Sequence, residues 1–181
     1  MKLLMENWRQ YLNEEKLRVF DFDDTLAATD SKIILHKASG ETIEQDPGEW
    51  AVYTPQEGDE FDFVQFEGDL INPKEIKKHM DILRKVLSAG SEGRKTVILT
   101  ARNDAAREGI LKFLEDIGIN LESLELVTLG SSDPQDKARW IEQKIKEGYD
   151  DIMFFDDSDK NIAAVAALEK KYPIQLRARL V

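Results

Sequence analysis

The sequence contains no cysteine, and this absence removes a whole group of possible functions. Disulfide frameworks, thiolate nucleophiles and cysteine-ligated zinc sites all require that residue. Long apolar runs are missing as well, since no stretch approaches the roughly 18 residues that cross a membrane. The first residues lack both the long apolar segment and the small-residue cleavage site of a secretory signal peptide. Together these features predict a soluble protein of the cytoplasm.

Positive charge is in the minority. The chain has 25 Lys and Arg residues against 36 Asp and Glu residues, which gives a net charge of −11. Non-specific binding to nucleic acid depends on neutralising phosphates with Lys and Arg, so broad nucleic-acid binding is not expected. A local basic site within an acidic protein remains open. The 41% of apolar residues are enough for the core of one domain among 181 residues.

The first part of the chain reads as a helix, a strand and an insertion. Residues 3–14 have apolar side chains at helical spacing, and we assign residues 1–16 to an N-terminal helix. The run "LRVFDF" is typical of a buried strand. Residues 27–71 show several strand signals, including "EWAVYTP" and a turn at Ser39 and Gly40, but no helical period. We therefore predict a small β-rich insertion at 27–71.

Strand-like and helix-like segments then alternate to the end of the chain. Asn72 and Pro73 predict the start of a helix, and "TVILT" predicts a buried strand. A helix from about Asp104, the strand "LELVTL", a helix opened by Asp133 and Pro134, and the strand "IMFF" follow. The last predicted elements are a short helix at 162–170 and the strand "IQLRARL". This order predicts an α/β fold, a three-layer Rossmann-like parallel sheet built from residues 17–26 and 72–181.

Polar side chains follow several of the predicted strands at the point where each ends. In parallel α/β sheets, ligands bind outside the carboxyl ends of the strands. A solvated turn would explain one acidic cluster alone, whereas a cation or phosphoryl chemistry would explain several such groups at one edge. The polar residues at these predicted strand ends are Asp21, Asp23, Asp24, Thr100, Asp156 and Asp157.

Four short motifs, found in order, resemble those of the haloacid dehalogenase (HAD) superfamily of phosphohydrolases. They are "DFDDT" after the first strand, "VILT" ending at Thr100, Lys137 near the start of a helix, and "FFDDS" at the end of the fourth core strand. The motifs extend over residues 17–158, nearly the whole chain. Each motif alone is weak, but the ordered set in matching context is specific.

The resemblance implies a role for each matched residue. Asp21 would be the nucleophile that attacks phosphorus, and Asp23 would protonate the leaving group and then activate water. Thr100 would donate its hydroxyl to a phosphoryl oxygen. Lys137 would neutralise the phosphate and the nucleophile. An Asp at position 23 is absent from the dehalogenases and P-type ATPases of this superfamily, which favours a phosphatase or a phosphotransferase.

The resemblance also implies a Mg²⁺ ion. A few carboxylates, waters and a substrate phosphate suit this hard, octahedral cation. By the family pattern, Asp157 would be a direct ligand and Asp156 would bind directly or through water. Asp21 and the backbone carbonyl of Asp23 would complete the protein ligands. The sequence departs from the pattern at Asn161, where many relatives carry a further acid four residues beyond the metal-binding Asp.

The motif "ILTAR", together with "DFDDT", is similar to the phosphatase domain of polynucleotide kinase-phosphatases. It makes Arg102 a candidate substrate-binding residue, beside Thr100 and Lys137. In this superfamily, insertions act as caps that select the substrate. A cap as small as residues 27–71 would leave the site open to bulky substrates such as nucleic-acid ends.

We therefore expect a Mg²⁺-dependent phosphomonoester hydrolase whose substrate is a phosphorylated small molecule or a nucleic-acid end. No membrane partner is expected. A non-catalytic module that binds a cation or a phospho-ligand is one alternative, and the paired Asp21 and Asp23 speak against it. A phosphotransferase is the other, because hydrolysis and transfer share the same aspartyl-phosphate. The first residues also resemble those of phage-encoded proteins, and the sequence makes no prediction of oligomeric state.

Overall fold

A computed structural model of the chain describes residues 15–181. Its strands are β1 (Glu15–Phe20), β2 (Ala27–Ala28), β3 (Ile33–His36), β4 (Thr42–Gln45), β5 (Glu60–Asp62), β6 (Lys74–Glu75), β7 (Arg94–Thr100), β8 (Glu125–Thr128), β9 (Tyr149–Asp156) and β10 (Gln175–Leu180). Its α-helices are α1 (Pro47–Val52), α2 (Lys77–Ser88), α3 (Arg107–Asp116), α4 (Pro134–Glu147) and α5 (Asp159–Ala166). Within this part of the chain, every helix is too short or too polar to cross a membrane.

A five-stranded sheet forms the centre of the molecule. Its strand order is β10-β9-β1-β7-β8, and all four neighbouring pairs are parallel. The predicted parallel α/β sheet is therefore confirmed. The predicted N-terminal helix lies outside the described residues, except that Glu15 and Lys16 belong to β1.

Two hydrophobic clusters take alternate residues from the central strands, because successive side chains of a strand point to opposite faces. Ile98 of β7 packs in one cluster with residues of α2 and α3. Its neighbours Val97 and Leu99 pack in the other cluster with residues of α4 and α5. Helices α2 and α3 therefore contribute residues to one cluster, and helices α4 and α5 contribute residues to the other.

The insertion, residues 27–71, holds a small antiparallel sheet. Strand β3 pairs with β4 and with β5, and the predicted turn at Gly40 has a positive φ of 86°. The prediction of a strand in "EWAVYTP" is wrong, because Pro47–Val52 form helix α1. Asp46 and Glu49 make a capping box, and Pro47 stands in the first turn. That pattern is a helix-start signal that could have been recognised in the sequence.

Helix α2 begins later than predicted. The backbone stays extended after Asn72 because Lys74 and Glu75 form β6, which pairs with β2 of the insertion. Ile76 caps the helix, and its N–H donates to the carbonyl of Leu26. A long-range pairing between two short strands therefore overrides the local signal of Asn72 and Pro73.

The insertion also contacts the core closely at Gly109 of α3. A Cβ atom at this position would lie 3.0 Å from the carbonyl oxygen of Gly68 and 3.2 Å from the Cα of Asp69. Leu70 packs against the hydrophobic cluster of α2 and α3. The end of the insertion is thus fitted onto the core near the carboxyl edge of the sheet.

Candidate active site

The candidate site lies where the chain reverses its direction across the sheet. From β1 the chain adds β7 and β8 on one side, and α4 then carries it across to β9 on the other side of β1. Connections leave the carboxyl ends of β1 and β9 in opposite directions, and such switch points create a crevice. The N–H of Asp21 donates to the carbonyl of Phe155 at 2.9 Å, so the ends of these two strands are in register.

Three carboxylates meet in this crevice. Asp21, Asp156 and Asp157 each offer one oxygen atom, and these oxygens lie within 4.8 Å of one another. Asp21 is 4% exposed and Asp156 is fully buried, whereas Asp157 faces solvent. The predicted convergence of distant acidic residues is therefore present in the fold.

Lys137 lies between two of these carboxylates. Its Nζ atom donates to Oδ1 of Asp21 at 2.5 Å and to Oδ2 of Asp156 at 2.7 Å, and the residue is 3% exposed. The side chain is placed by the first turn of α4, which Asp133 caps and Pro134 opens as predicted. A solvated surface lysine, the ordinary role of a helical lysine, is excluded by this burial.

Burial and mutual repulsion shift the pKa values of these groups. Burial raises the pKa of the Asp21 carboxyl to about 8, with Lys137 acting in the opposite direction and the Asp156 carboxylate adding to the rise. Burial and the charge of Asp156 raise the pKa of Asp157 to about 6. Burial alone would lower the pKa of Lys137, but the two carboxylates outweigh it and raise that pKa. The one ammonium therefore does not fully compensate for the burial of these carboxyl groups.

The donor set fits a hard divalent cation. In the ionised form that metal binding requires, three carboxylates and one ammonium have a net charge of −2, and every ligand atom that they offer is an oxygen. Such a set suits Mg²⁺ or another oxygen-preferring ion and not a soft metal. Asp21, Asp156 and Asp157 are the residues that could hold it.

Asp156 is the most firmly held of the three. Its Oδ1 accepts hydrogen bonds from the N–H of Ser158 and from Nδ2 of Asn161, both at 2.9 Å. Its Oδ2 accepts from Lys137 and, at 3.1 Å, from the same amide of Asn161. Asn161 thus contributes a neutral donor to the site. The sequence showed only that Asn161 departs from the family pattern, because its contact depends on the turn between β9 and α5.

Asp23, predicted at the metal site through its backbone, has its side chain outside the three-carboxylate group. Its carboxylate forms an ion pair with Arg102, with Nη2 and Oδ1 2.7 Å apart. Thr100 is fully buried at the end of β7, and its Oγ1 accepts from the N–H of Arg102 at 3.1 Å. The motif after β7 is therefore joined to the motif after β1 through Arg102.

The insertion completes the surroundings of Arg102, which sequence analysis did not predict. The guanidinium lies 4.8 Å from the ring centroid of Phe66 and donates to the carbonyl of the same residue at 3.3 Å. Its Nη2 also donates to Oγ1 of Thr29. The next residue, Asn103, donates to Glu67 at 2.9 Å. No local pattern marks Phe66 or Thr29, because their contacts with Arg102 join residues 36 and 73 positions apart in sequence.

Comparisons with known proteins do not place the chain in a family. No protein-family model matches it, and no curated protein sequence matches it.

Proposed function

We propose that the protein is a Mg²⁺-dependent phosphomonoester hydrolase of the HAD type, acting through an aspartyl-phosphate on Asp21. The observation that carries the proposal is the meeting of Asp21, Asp156 and Asp157 around a buried Lys137 at the switch point of the sheet. Three carboxylates share one ammonium, and burial raises the pKa of Asp21 to about 8 and that of Asp157 to about 6, so a bound cation would be needed to favour their ionised forms near neutral pH.

In the proposed reaction, Asp21, Asp156 and Asp157 would hold a Mg²⁺ ion, which when bound would suppress the repulsion between the nucleophile and the anionic substrate. A carboxylate oxygen of Asp21 attacks phosphorus, and the bond from phosphorus to the leaving oxygen breaks. Asp23 gives its proton to that oxygen. Water then attacks the aspartyl-phosphate while Asp23 takes its proton, which releases phosphate and restores Asp21.

Lys137 and Thr100 support this chemistry without changing their covalent state. The ammonium of Lys137, already 2.5 Å from Asp21, orients the nucleophile and offsets the charge of the incoming phosphate. The hydroxyl of Thr100 remains able to donate while its oxygen accepts from Arg102. Arg102, nearly free of solvent contact, is the proposed cation for a second phosphoryl oxygen.

For the fold, we propose the three-layer Rossmann-like arrangement, supported by the two hydrophobic clusters on alternate residues of the central strands. Because a small insertion would leave the site open to bulky substrates, we propose nucleotide or nucleic-acid-end phosphates as the substrates. The cytoplasmic location stays a prediction from composition.

The test is phosphate release with Mg²⁺ from sugar phosphates, nucleotides, and 3′- or 5′-phosphorylated oligonucleotides. We expect Asp21→Asn to lower release by about a thousandfold or more, as loss of a nucleophile does. Asp24→Asn is the matched control. Asp24 has a φ of 54°, which Asn tolerates, and it is not among the three carboxylates.

Equal loss in both variants would refute Asp21 as the specific nucleophile. If no substrate releases phosphate while the chain still binds Mg²⁺, the non-catalytic cation-binding module replaces the hydrolase. Transfer of phosphate to an added alcohol in preference to water would identify a phosphotransferase.

A further inference from the structure

A buried histidine that the proposed reaction does not use lies beside the loop that carries Asp23. His79 is in the first turn of α2 and is 6% exposed. Its Nδ1 atom lies 3.0 Å from the backbone carbonyl oxygen of Thr25. A carbonyl oxygen can only accept, so Nδ1 of His79 carries a proton and donates the hydrogen bond. The other ring nitrogen, Nε2, is buried and has no hydrogen-bond partner among residues 15–181.

Thr25 belongs to a closed turn, residues 22–27, which we call the β1 turn. The N–H groups of the two residues after Thr25 both donate to the carbonyl of Phe22, at 2.9 and 3.0 Å. The N–H of Asp24 donates across the turn at 2.9 Å, and Asp24 has a positive φ of 54°. The residues of the β1 turn are therefore tied to one another, and a movement of Thr25 would also move Asp23.

Helix α2 holds the β1 turn at two successive carbonyls. The N–H of Ile76, which caps the helix, donates to the carbonyl of Leu26 at 2.8 Å. In the part of the chain that the structure describes, no backbone N–H donates to the carbonyl of Thr25, so the ring of His79 supplies its hydrogen bond. Apolar contacts have no preferred direction, whereas a hydrogen bond fixes both a distance and an angle. His79 therefore contributes to the orientation of the turn as well as to its burial.

Asp21 and Asp23 depend on the β1 turn to different degrees. Asp21 directly follows β1, and its N–H donates to the carbonyl of Phe155 in β9, so the sheet itself places this residue. Asp23 lies within the turn, and its side chain is 25% exposed. Arg102 holds the carboxylate of Asp23, whereas the turn holds its backbone. A displaced turn would therefore move Asp23 more than Asp21.

We propose that His79 is a positioning residue for Asp23. Its Nδ1–H group holds the carbonyl of Thr25, and so the β1 turn that presents the carboxyl of Asp23 to the leaving oxygen. This role rests on the proposed hydrolase function, in which Asp23 is the proton donor. Loss of the contact should slow the departure of leaving groups that need a proton, because a misplacement of about 1 Å can cost about 100-fold in rate.

The test compares two kinds of ester, with the full chain and Mg²⁺. One is the sugar phosphate or nucleotide that the parent hydrolyses fastest, whose alkoxide leaving group needs a proton. The other is 4-nitrophenyl phosphate, whose nitrophenolate leaves without one. The value of kcat/KM covers the steps up to the departure of the leaving group, so the later hydrolysis of the aspartyl-phosphate does not enter. We expect His79→Leu to lower kcat/KM about 30- to 100-fold for the alkyl ester and less than about threefold for the nitrophenyl ester.

Two amide substitutions separate the hydrogen bond from the volume of the ring. Asparagine carries its amide nitrogen as many bonds from Cβ as Nδ1 of histidine, whereas the amide nitrogen of glutamine is one bond further out. We expect His79→Asn to keep kcat/KM for the alkyl ester within about fivefold of the parent, and His79→Gln to resemble His79→Leu. His36→Leu is the control, since His36 is exposed and contacts Thr42 of the insertion. Circular dichroism checks that every variant is folded.

The position of the ring proton gives a second readout that needs no activity. His36 and His79 are the two histidines of the chain, so the nitrogen NMR spectrum of isotope-labelled His36→Leu protein contains the ring of His79 alone. The shift of each nitrogen distinguishes a protonated atom from a bare one. At a pH well above the ordinary histidine pKa, we expect a protonated Nδ1 and a bare Nε2.

Equal losses for the two esters in folded His79→Leu protein would show that His79 only stabilises the fold, and would overturn the positioning role. An unchanged kcat/KM, a failure of His79→Asn to exceed His79→Gln, or a proton on Nε2 alone would overturn it as well. These outcomes leave the hydrolase itself intact. A parent chain that releases phosphate from neither ester would instead refute the hydrolase, and the role of His79 with it.

Discussion

Arg102 donates three hydrogen bonds to the carboxylate of Asp23, at 2.7, 3.0 and 3.1 Å. A guanidinium that faces a carboxylate in this forked geometry pairs with its ionised form. The proposed first step needs Asp23 to give a proton. We therefore infer that an incoming phosphoryl group competes with Asp23 for Arg102, and that the freed carboxylate takes up a proton from water before it gives that proton to the leaving oxygen.

The Arg102 geometry predicts a large effect of a conservative substitution. Lysine carries the same charge but only one nitrogen, so Arg102→Lys cannot reproduce the forked pair or the contact with Phe66. We expect kcat/KM for phosphate release to fall about 100-fold, as for a misplaced catalytic group. Arg107→Lys on α3 is the matched control for Arg-to-Lys changes. A kcat/KM for Arg102→Lys within twofold of the parent would contradict the inferred exchange.

The insertion should influence catalysis through Phe66. Phe66→Leu keeps an apolar side chain but removes the ring that faces the guanidinium. A cation–π contact contributes about 0.5–2 kcal/mol, so we expect kcat/KM to fall about two- to thirtyfold. Phe63→Leu removes a ring of the same insertion that packs on Trp50 instead. If the two variants behave alike, Phe66 does not position Arg102.

The raised pKa values of Asp21 and Asp157, about 8 and about 6, predict a pH dependence with a definite sign. A carboxyl whose pKa is raised on folding stabilises the fold below its unfolded pKa, and this stabilisation is lost as pH rises through the folded pKa. Without metal, the protein should therefore lose stability between pH 5 and pH 8. Mg²⁺ needs the ionised carboxylates, so its affinity should rise over the same range.

Thermal melts with and without Mg²⁺ at several pH values, together with titration calorimetry, test this dependence. Asp21→Asn should remove most of the pH slope of the metal-free protein. A stability that rises with pH in the absence of metal would show that the Asp21 carboxyl is ionised throughout.

Asn161 offers a sharper probe of the charge at the site. Asn161→Asp would place a carboxylate against Asp156 where the amide now donates two hydrogen bonds. We expect the metal-free protein to lose about 1–3 kcal/mol of unfolding free energy, a fall in Tm of about 3–10 °C, and to regain part of it with Mg²⁺. Asn161→Ala loses the same hydrogen bonds without adding charge, so Mg²⁺ should not restore it. Identical Mg²⁺ responses in both variants would contradict this account.

A second buried ion pair lies at the opposite edge of the sheet and should affect stability alone. Arg18 and Asp151 are 8% and 7% exposed, with Nη2 and Oδ2 2.9 Å apart, and Arg177 also contacts Asp151. Asp151→Asn leaves Arg18 buried without its counter-charge, so we expect a loss of about 3 kcal/mol. Chemical denaturation measures it, and Mg²⁺ affinity should not change.

The pH dependence of this pair has the opposite sign. Burial acts to raise the pKa of Asp151, but the hydrogen bonds from Arg18 and Arg177 outweigh it and lower that pKa. The pair should therefore stabilise the protein above the ordinary Asp pKa and lose its effect as pH falls below it. Asp151→Asn protein that melts like the parent at pH 7 but not at pH 3 would contradict this assignment.

Local sequence patterns predicted the core strands and helices, because the burial of each element requires apolar residues at characteristic positions within that segment alone. The continuous apolar runs at "TVILT" and "IMFF" correspond to β7 and β9, and Asp133 and Pro134 begin helix α4. The start of α2 was misplaced because the pairing of β2 with β6 is not a local property. Helix α1 was missed although its capping box is a local signal.

The sequence by itself determined the order of strands and helices, and so the edge of the sheet at which Asp21, Thr100 and Asp156 lie. Parallel strands joined by helices leave no other place for residues that follow a strand. Only the tertiary structure decided which side chains touch. Lys137 reaches Asp21 across 116 positions of sequence, and Arg102 lies between Asp23 and Phe66. These contacts depend on the path of α4 from β8 to β9 across the sheet and on the packing of the insertion against the core. No local sequence pattern encodes either of them.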